Sequence, residues 1–205
     1  MISNNMLDRF RSSLEAAPII NIGGYDYFIH PITDGVPRAD PELLSEVVEA
    51  MLAVGDFDCD VILAPEAMGI PLAVLLSQRL GVPCAVVRKR RYGLPGEIEV
   101  GQSTGYSRGR LYINDVRPGD RVVVVDDVLS TGGTLRPLIL ALKEAGVKVV
   151  DVLVAVEKGS ARAALECELG VTIRALVKVE VRDSRLVVVG QFTSPGVFSS
   201  GTPPG

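Results

Sequence analysis

The chain has 205 residues, 47% of them hydrophobic, and a formal net charge of -4 from 25 acidic and 21 basic side chains. That size and apolar content suit a single folded domain over residues 1–205 with a substantial core, and they exclude a disordered chain. The acidic balance argues against a surface that coats nucleic acid generally, although a local basic cluster can sit on an acidic protein.

Residues 1–10 carry Asn, Asp and Arg where a secretory signal would carry an apolar core. No apolar run approaches the roughly 20 residues that cross a bilayer, so a soluble cytoplasmic protein without membrane partners is expected. Cys59, Cys84 and Cys167 are far apart and odd in number, which signals neither a disulfide framework nor a Cys-x-x-Cys metal site. Leu7, Phe10 and Leu14 predict a short helix within residues 4–16, ended by Pro18. Residues 19–22 and 25–29, separated by Gly23-Gly24, predict a small hairpin, and 31–37 reads as irregular. Residues 1–37 would then form an accessory lobe.

Asp40-Pro41-Glu42 supplies an N-cap, a proline at the first helical position and an acid in the first turn. Leu43, Leu44, Val47, Val48, Met51 and Leu52 follow on one face of that helix. An apolar run at 61–64 then precedes a helix near 70–80, and 85–87 forms the next run. Residues 122–125 lead to a helix near 133–145, and 149–156 to one near 160–169, with Gly81, Gly146 and Gly170 closing the helices. Residues 173–179 and 186–189 supply the last strands. Uniformly apolar strands alternating with helices predict an α/β fold with a doubly wound, mainly parallel sheet. Ligands on such sheets gather beyond the carboxyl ends of the strands. Residues 88–120 form an excursion long enough to be expected as a flexible functional loop, and the Ser-, Pro- and Gly-rich 199–205 is expected to fray.

Asp126-Asp127 stands at the end of the most apolar strand. Adjacent carboxylates there repel and lose hydration, so they need hydroxyl donors or a cation. Ser130-Thr131-Gly132-Gly133-Thr134 then offers three hydroxyls and backbone N–H groups opening a helix, an arrangement that binds phosphate. The absence of a Gly-Lys-Ser/Thr ending excludes a Walker loop. Carboxylates for hydroxyls beside a nest for phosphate describe a ribose 5-phosphate; a capped turn with solvated acids is the alternative. Arg88-Lys89-Arg90-Arg91 by itself fits a solvated face or a nucleic-acid patch. Its emergence from a buried strand beside these loops also fits the stabilisation of a departing anion.

The stretch 122–134 resembles the phosphoribosyl pyrophosphate (PRPP) signature of the type I phosphoribosyltransferases. Residues 86–97, Thr104-Gly105-Tyr106-Ser107, Leu111-Tyr112-Ile113-Asn114 and 27–37 resemble the archaeal hypoxanthine/guanine phosphoribosyltransferase subfamily, and the likeness runs over nearly the whole chain. The resemblance implies transfer of 5-phosphoribosyl from PRPP to purine N9, releasing pyrophosphate. It assigns the ribose hydroxyls to Asp126 and Asp127, the 5-phosphate to Ser130 through Thr134, and pyrophosphate charge to Arg88 and Lys89, with Arg90 and Arg91 beside them. Glu66-Ala67-Met68-Gly69 resembles the family's pyrophosphate loop, which often holds a non-proline cis peptide; the candidate bond is Ala67-Met68. Lys158 stands where related enzymes donate to a purine O6, a role that suits an ammonium with donors only. Magnesium held mainly through PRPP and a homodimeric assembly are implied as well.

One departure stands out. Ser130 occupies the position of the aspartate that serves base N7 in familiar hypoxanthine/guanine enzymes, so the general acid/base and adenine specificity stay open; Glu97 and Glu99 are alternative proton carriers. Tyr25, Tyr27 or Phe28 could stack on the base or pack the hairpin. A rival reading is a PRPP- or nucleotide-sensing regulator on the same fold, although the residues before Pro31 leave little room for a DNA-binding domain. His30, the sole histidine, has no nearby Cys or His and is assigned neither a metal nor a catalytic role.

Overall fold

The computed structural model of the protein describes residues 6–103, 108–194 and 197–200. Helix α1 (Asp8–Glu15) turns Phe10 and Leu14 inward, and with Leu7 they are fully buried. Strands β1 (Ile19–Ile22) and β2 (Tyr25–Phe28) form the expected antiparallel hairpin. The stretch expected to be irregular begins instead with a short helix, α2 (Pro31–Asp34). Its N-cap is His30, whose Nδ1 accepts from the Ile32 N–H at 3.2 Å; an imidazole cap lies outside the usual Ser, Thr, Asp and Asn set. Helix α3 (Pro41–Val54) starts as its sequence requires, with Asp40 Oδ1 accepting from the Glu42 N–H at 2.8 Å.

The α/β core follows: β3 (Val61–Pro65), α4 (Gly69–Leu80), β4 (Cys84–Val87), β5 (Ile98–Ser103), β6 (Arg108–Ile113), β7 (Arg121–Leu129), α5 (Leu135–Glu144), β8 (Lys148–Lys158), α6 (Ala161–Leu169), β9 (Ile173–Arg182), β10 (Arg185–Ser194) and β11 (Val197–Ser200). Seven strands form one sheet in the order β11-β10-β9-β8-β7-β3-β4. From β4 to β9 the neighbours are parallel, and β10 and β11 add antiparallel strands at one edge. Chain order reverses direction between β3 and β7. In a doubly wound sheet that switch point opens a crevice at the carboxyl ends of the two strands.

Burial alternates residue by residue through the central strands. Val123, Val125, Leu153 and Ala155 join the core under α1, α3 and α4, whereas Val122, Val124, Val152 and Val154 join the core under α5 and α6. Burial of each Val or Leu contributes roughly 1.5–3 kcal/mol relative to exposure, so the strand ends are held from both faces.

The 88–120 excursion carries more structure than an open loop. Strands β5 and β6 pair antiparallel, and Val100, Leu111 and Ile113 are buried in the second core. The alternation that buries them is only a few residues long, which hid it among glycines and charges. The Thr104-Gly105-Tyr106-Ser107 segment of the family resemblance lies outside the described residues. In the tail, Ser199 and Ser200 pair with Gln191 and Gly190 of β10; residues 201–205 lie outside the described residues. Among the described residues no helix is long and apolar enough to cross a membrane.

Candidate functional site

The acids lie inside β7 and not past its end. Strand β8 continues to Lys158 and offers partners to the last residues of β7: Asp126 pairs with Val154, Val128 with Val156 and Leu129 with Glu157. Asp126 is 7% exposed, and its Oδ1 accepts from the Asp127 N–H at 3.0 Å. Burial, and then repulsion from Asp127, pushes the Asp126 carboxyl well above the usual carboxylate range. Burial also raises Asp127, against hydrogen bonds that favour its anion. Both carboxyls line a cavity of about 280 Å³ at the switch point, so a pair that loses hydration in the fold faces space that ligand hydroxyls can fill.

Ser130, Thr131, Gly132, Gly133 and Thr134 wrap one side of the same cavity and lead into α5. Gly132 has φ +78°, and a Cβ there would sit 2.6 Å from a Leu165 methyl, so both backbone shape and packing against α6 require glycine. The Gly133 N–H points at Thr131 Oγ1 at 3.4 Å, and Arg136 N–H bonds to the Gly132 carbonyl at 2.9 Å.

The opposite wall is Pro65, Glu66, Ala67 and Met68. The non-proline cis peptide is Glu66–Ala67, one bond earlier than expected. The Ala67 carbonyl accepts from the Ile70 N–H at 3.3 Å in the turn that leads into α4, whose N-cap is Met68. Gly69 lets this loop approach β7: a Cβ would lie 2.7 Å from the Val125 carbonyl oxygen and 3.3 Å from Asp126 Cα.

The four cations divide. Lys89 lines the cavity, and Arg88 lies beside it with Nε 2.9 Å from Glu66 Oε2. The Arg88 backbone is pinned by reciprocal hydrogen bonds with Tyr112, at 2.9 and 2.7 Å. Arg90 and Arg91 are not brought to the cavity: Arg90 lies over the Tyr92 ring at 5.9 Å, and Arg91 Nε is 3.6 Å from Glu97. Neither proposed proton carrier in the loop lines the cavity. Glu97 accepts from the Tyr92 and Gly93 N–H groups and from Asn114 Nδ2 at 2.9 to 3.0 Å, which makes it a brace of the loop. Desolvation works against its anion, yet these bonds and Arg91 hold its carboxyl below the usual range. Glu99 pairs with Arg110 at 2.8 Å across the β5–β6 hairpin.

Lys158 reaches the cavity from the end of β8, and the hairpin brings Tyr25, Tyr27 and Phe28 to it. Tyr25 hydroxyl lies 2.8 Å from Ser130 Oγ, its ring centroid lies 3.9 Å from Lys158 Nζ, and Lys158 also donates to the Asp26 carbonyl. Thr33 of α2 is a lining residue that sequence reasoning missed, because α2 itself was not recognised. His30 is buried, with Nε2 2.9 Å from Ser13 Oγ, and desolvation lowers its pKa to about 4 against the nearby Asp34. It is a neutral core residue joining α1 to α2.

Residues 42–181 match the profile of the phosphoribosyl transferase domain. The hypoxanthine/guanine phosphoribosyltransferase of Methanosalsum zhilinae is 51% identical over 183 residues, which cover 89% of this chain and 96% of that protein. The protein of the same name from Methanocella paludicola is 47% identical over 185 residues, covering 90% of this chain and 96% of that one. Among solved structures, adenine phosphoribosyltransferase from Thermoanaerobacter pseudethanolicus superposes with a TM-score of 0.68 at 26% identity, covering 83% of this chain and 98% of that one.

Proposed function

Because the chain belongs to the phosphoribosyl transferase family, we propose that it transfers the 5-phosphoribosyl group of PRPP to N9 of hypoxanthine or guanine, forming IMP or GMP and pyrophosphate. The observation that carries this reading is the convergence on one cavity of a desolvated carboxylate pair, a Gly-rich helix entry and a lysine ammonium. The relatives named hypoxanthine/guanine phosphoribosyltransferase support the choice of base.

In the reaction the bond from ribose C1 to pyrophosphate breaks and its electron pair leaves with the anion. The N9 lone pair closes the new bond, and the purine releases one ring proton to the departing pyrophosphate or to water. Asp126 and Asp127 would accept hydrogen bonds from the ribose hydroxyls, which offset the repulsion between them. The backbone N–H groups of the Ser130 to Thr134 loop would hold the 5-phosphate at the positive end of α5, with the Ser130 hydroxyl turned to the base side. On the facing wall, Glu66 through Gly69, Arg88 and Lys89 would hold the pyrophosphate. Charge that develops on the leaving group is stabilised best by cations already in place. Lys158 would donate to the exocyclic oxygen of the base.

Two adjacent carboxylates are too few for a dedicated metal cage, and among the described residues no cluster of three or more ligating side chains occurs. That donor set fits magnesium carried mainly on PRPP oxygens and water, for which Asp126 and Asp127 would be the candidate protein partners. When bound, the ion neutralises charge on the pyrophosphate. A homodimer belongs to the same proposal, supported by the family resemblance and tested by light scattering. A cytosolic setting is supported by three free cysteines.

Adenine is the competing base, favoured by the small Ser130 and by the fold it shares with an adenine enzyme. Steady-state rates with hypoxanthine, guanine, xanthine and adenine, each with PRPP and magnesium, decide between them. Preference for hypoxanthine or guanine is expected; preference for adenine would falsify the 6-oxopurine assignment.

A further inference from the structure

Tyr25 opens β2 and touches both groups on the base side of the cavity. Its hydroxyl is 2.8 Å from Ser130 Oγ, and Lys158 Nζ stands 3.9 Å from its ring centroid. The carbonyl of the next residue, Asp26, accepts from the same ammonium. Ser130 lies at the end of β7 and Lys158 at the end of β8, so one hairpin residue spans two neighbouring strand ends.

The chemistry of these contacts is specific. An ammonium has three donors and no acceptor. A ring face and one carbonyl hold its charge in place without neutralising it, and they leave donor capacity for a ligand. A carboxylate partner would instead compete with the ligand for the charge. The hydroxyl pair is adaptable in a different way. When Tyr25 donates, the Ser130 hydrogen is released toward an unprotonated ring nitrogen. When Ser130 donates, its oxygen accepts from a ring N–H. A neutral pair of this kind can follow the tautomer of a base that a fixed carboxylate would select.

Resting on the purine reading above, we infer that Tyr25 is a positioning and specificity-determining residue of the base pocket: its ring holds the Lys158 ammonium for an exocyclic oxygen, and its hydroxyl orients Ser130 toward a purine ring nitrogen. Tyr25→Phe and Tyr25→Leu separate the two roles, because phenylalanine keeps the ring face and loses only the hydroxyl.

Steady-state kinetics on the full chain, varying hypoxanthine and PRPP separately, test the inference. Tyr25→Phe raises KM for hypoxanthine roughly three- to tenfold, as loss of one hydrogen bond implies, and leaves KM for PRPP unchanged. Tyr25→Leu adds a further loss of roughly fivefold and narrows the preference for hypoxanthine over adenine, because Lys158 loses its platform. In a Ser130→Ala background Tyr25→Phe adds nothing, since the partner hydroxyl is already gone. Thermal melting of each variant identifies any loss of fold. Stably folded variants with unchanged KM for hypoxanthine, or with equal rises in KM for both substrates, overturn the role of Tyr25. A wild-type chain that turns over no 6-oxopurine overturns the purine reading and this inference with it.

Discussion

Asp126 and Asp127 are placed where two adjacent anions are poorly tolerated, and this has a measurable consequence in the free protein. Asp126→Asn keeps an oxygen for the Asp127 N–H and removes one buried charge. It is expected to raise thermal stability by about 1 kcal/mol while lowering turnover by at least a hundredfold, the signature of a site arranged for a ligand and not for the fold. Calorimetry and a PRPP-dependent assay check the two halves, and retained turnover in the Asp126→Asn, Asp127→Asn double variant would refute the ribose assignment. His30 gives a pH dependence of opposite sign to that of the acids. Its folded pKa of about 4 lies below the ordinary 6.5, so its contribution is intact above pH 6.5 and is lost as pH falls toward 4. The loss amounts to about 3 kcal/mol. Asp126, with a raised folded pKa, instead favours the fold as pH falls through that value. Urea midpoints between pH 7.5 and 4.5 should therefore fall less steeply in His30→Asn than in the parent chain.

At the scale of elements, the β3–α4 turn and the end of β7 form one unit because Gly69 admits the approach. Gly69→Ala places a methyl 2.7 Å from the Val125 carbonyl oxygen, so one backbone must move. The expected cost is about 1–3 kcal/mol of stability and a fall in kcat on the order of tenfold or more, because loop and acids separate; urea titration and steady-state rates measure each. The parallel strands were legible in the sequence because residues buried on both faces leave unbroken apolar runs such as 122–125. The carboxylate pair and glycine loop were legible because they interrupt such a run at the place where ligands gather. What stayed hidden depended on partners far away in the chain. The extension of β7 through Asp126 and Asp127 needs the residues of β8, and the contact of Tyr25 with Ser130 joins positions 105 apart. Helix α2 escaped because a histidine caps it, and the cis bond lies at Glu66–Ala67, one peptide before the one the resemblance implied.

Across the whole molecule, the charges near the amino ends of the strands are satisfied by partners within the chain. Near the amino ends of the strands, Arg121 pairs with Asp58 and Asp60 at 2.7 and 3.0 Å. There too, fully buried Asp151 accepts from the Asp56 N–H at 2.9 Å and from Arg174 at 2.6 Å. Asp151→Ala leaves that guanidinium and that amide unpaired and is expected to cost about 3–5 kcal/mol. KM for either substrate should not change, because the pair lies at the opposite strand ends; melting and kinetics together check this.

The backbone bridge between Arg88 and Tyr112 acts on a further property of the molecule. Strand β4 is an outer strand of the main sheet, and an outer strand offers unpaired amide groups to any extended chain it meets. β4 is short, and just past its end Tyr112 of β6 occupies the amide and carbonyl of Arg88. The segment that carries Arg88 and Lys89 therefore also shields a sheet margin from strand addition by a second molecule. Changes in this segment that loosen the bridge to speed turnover would expose that margin, and concentration-dependent aggregation would set the limit on how far they could go.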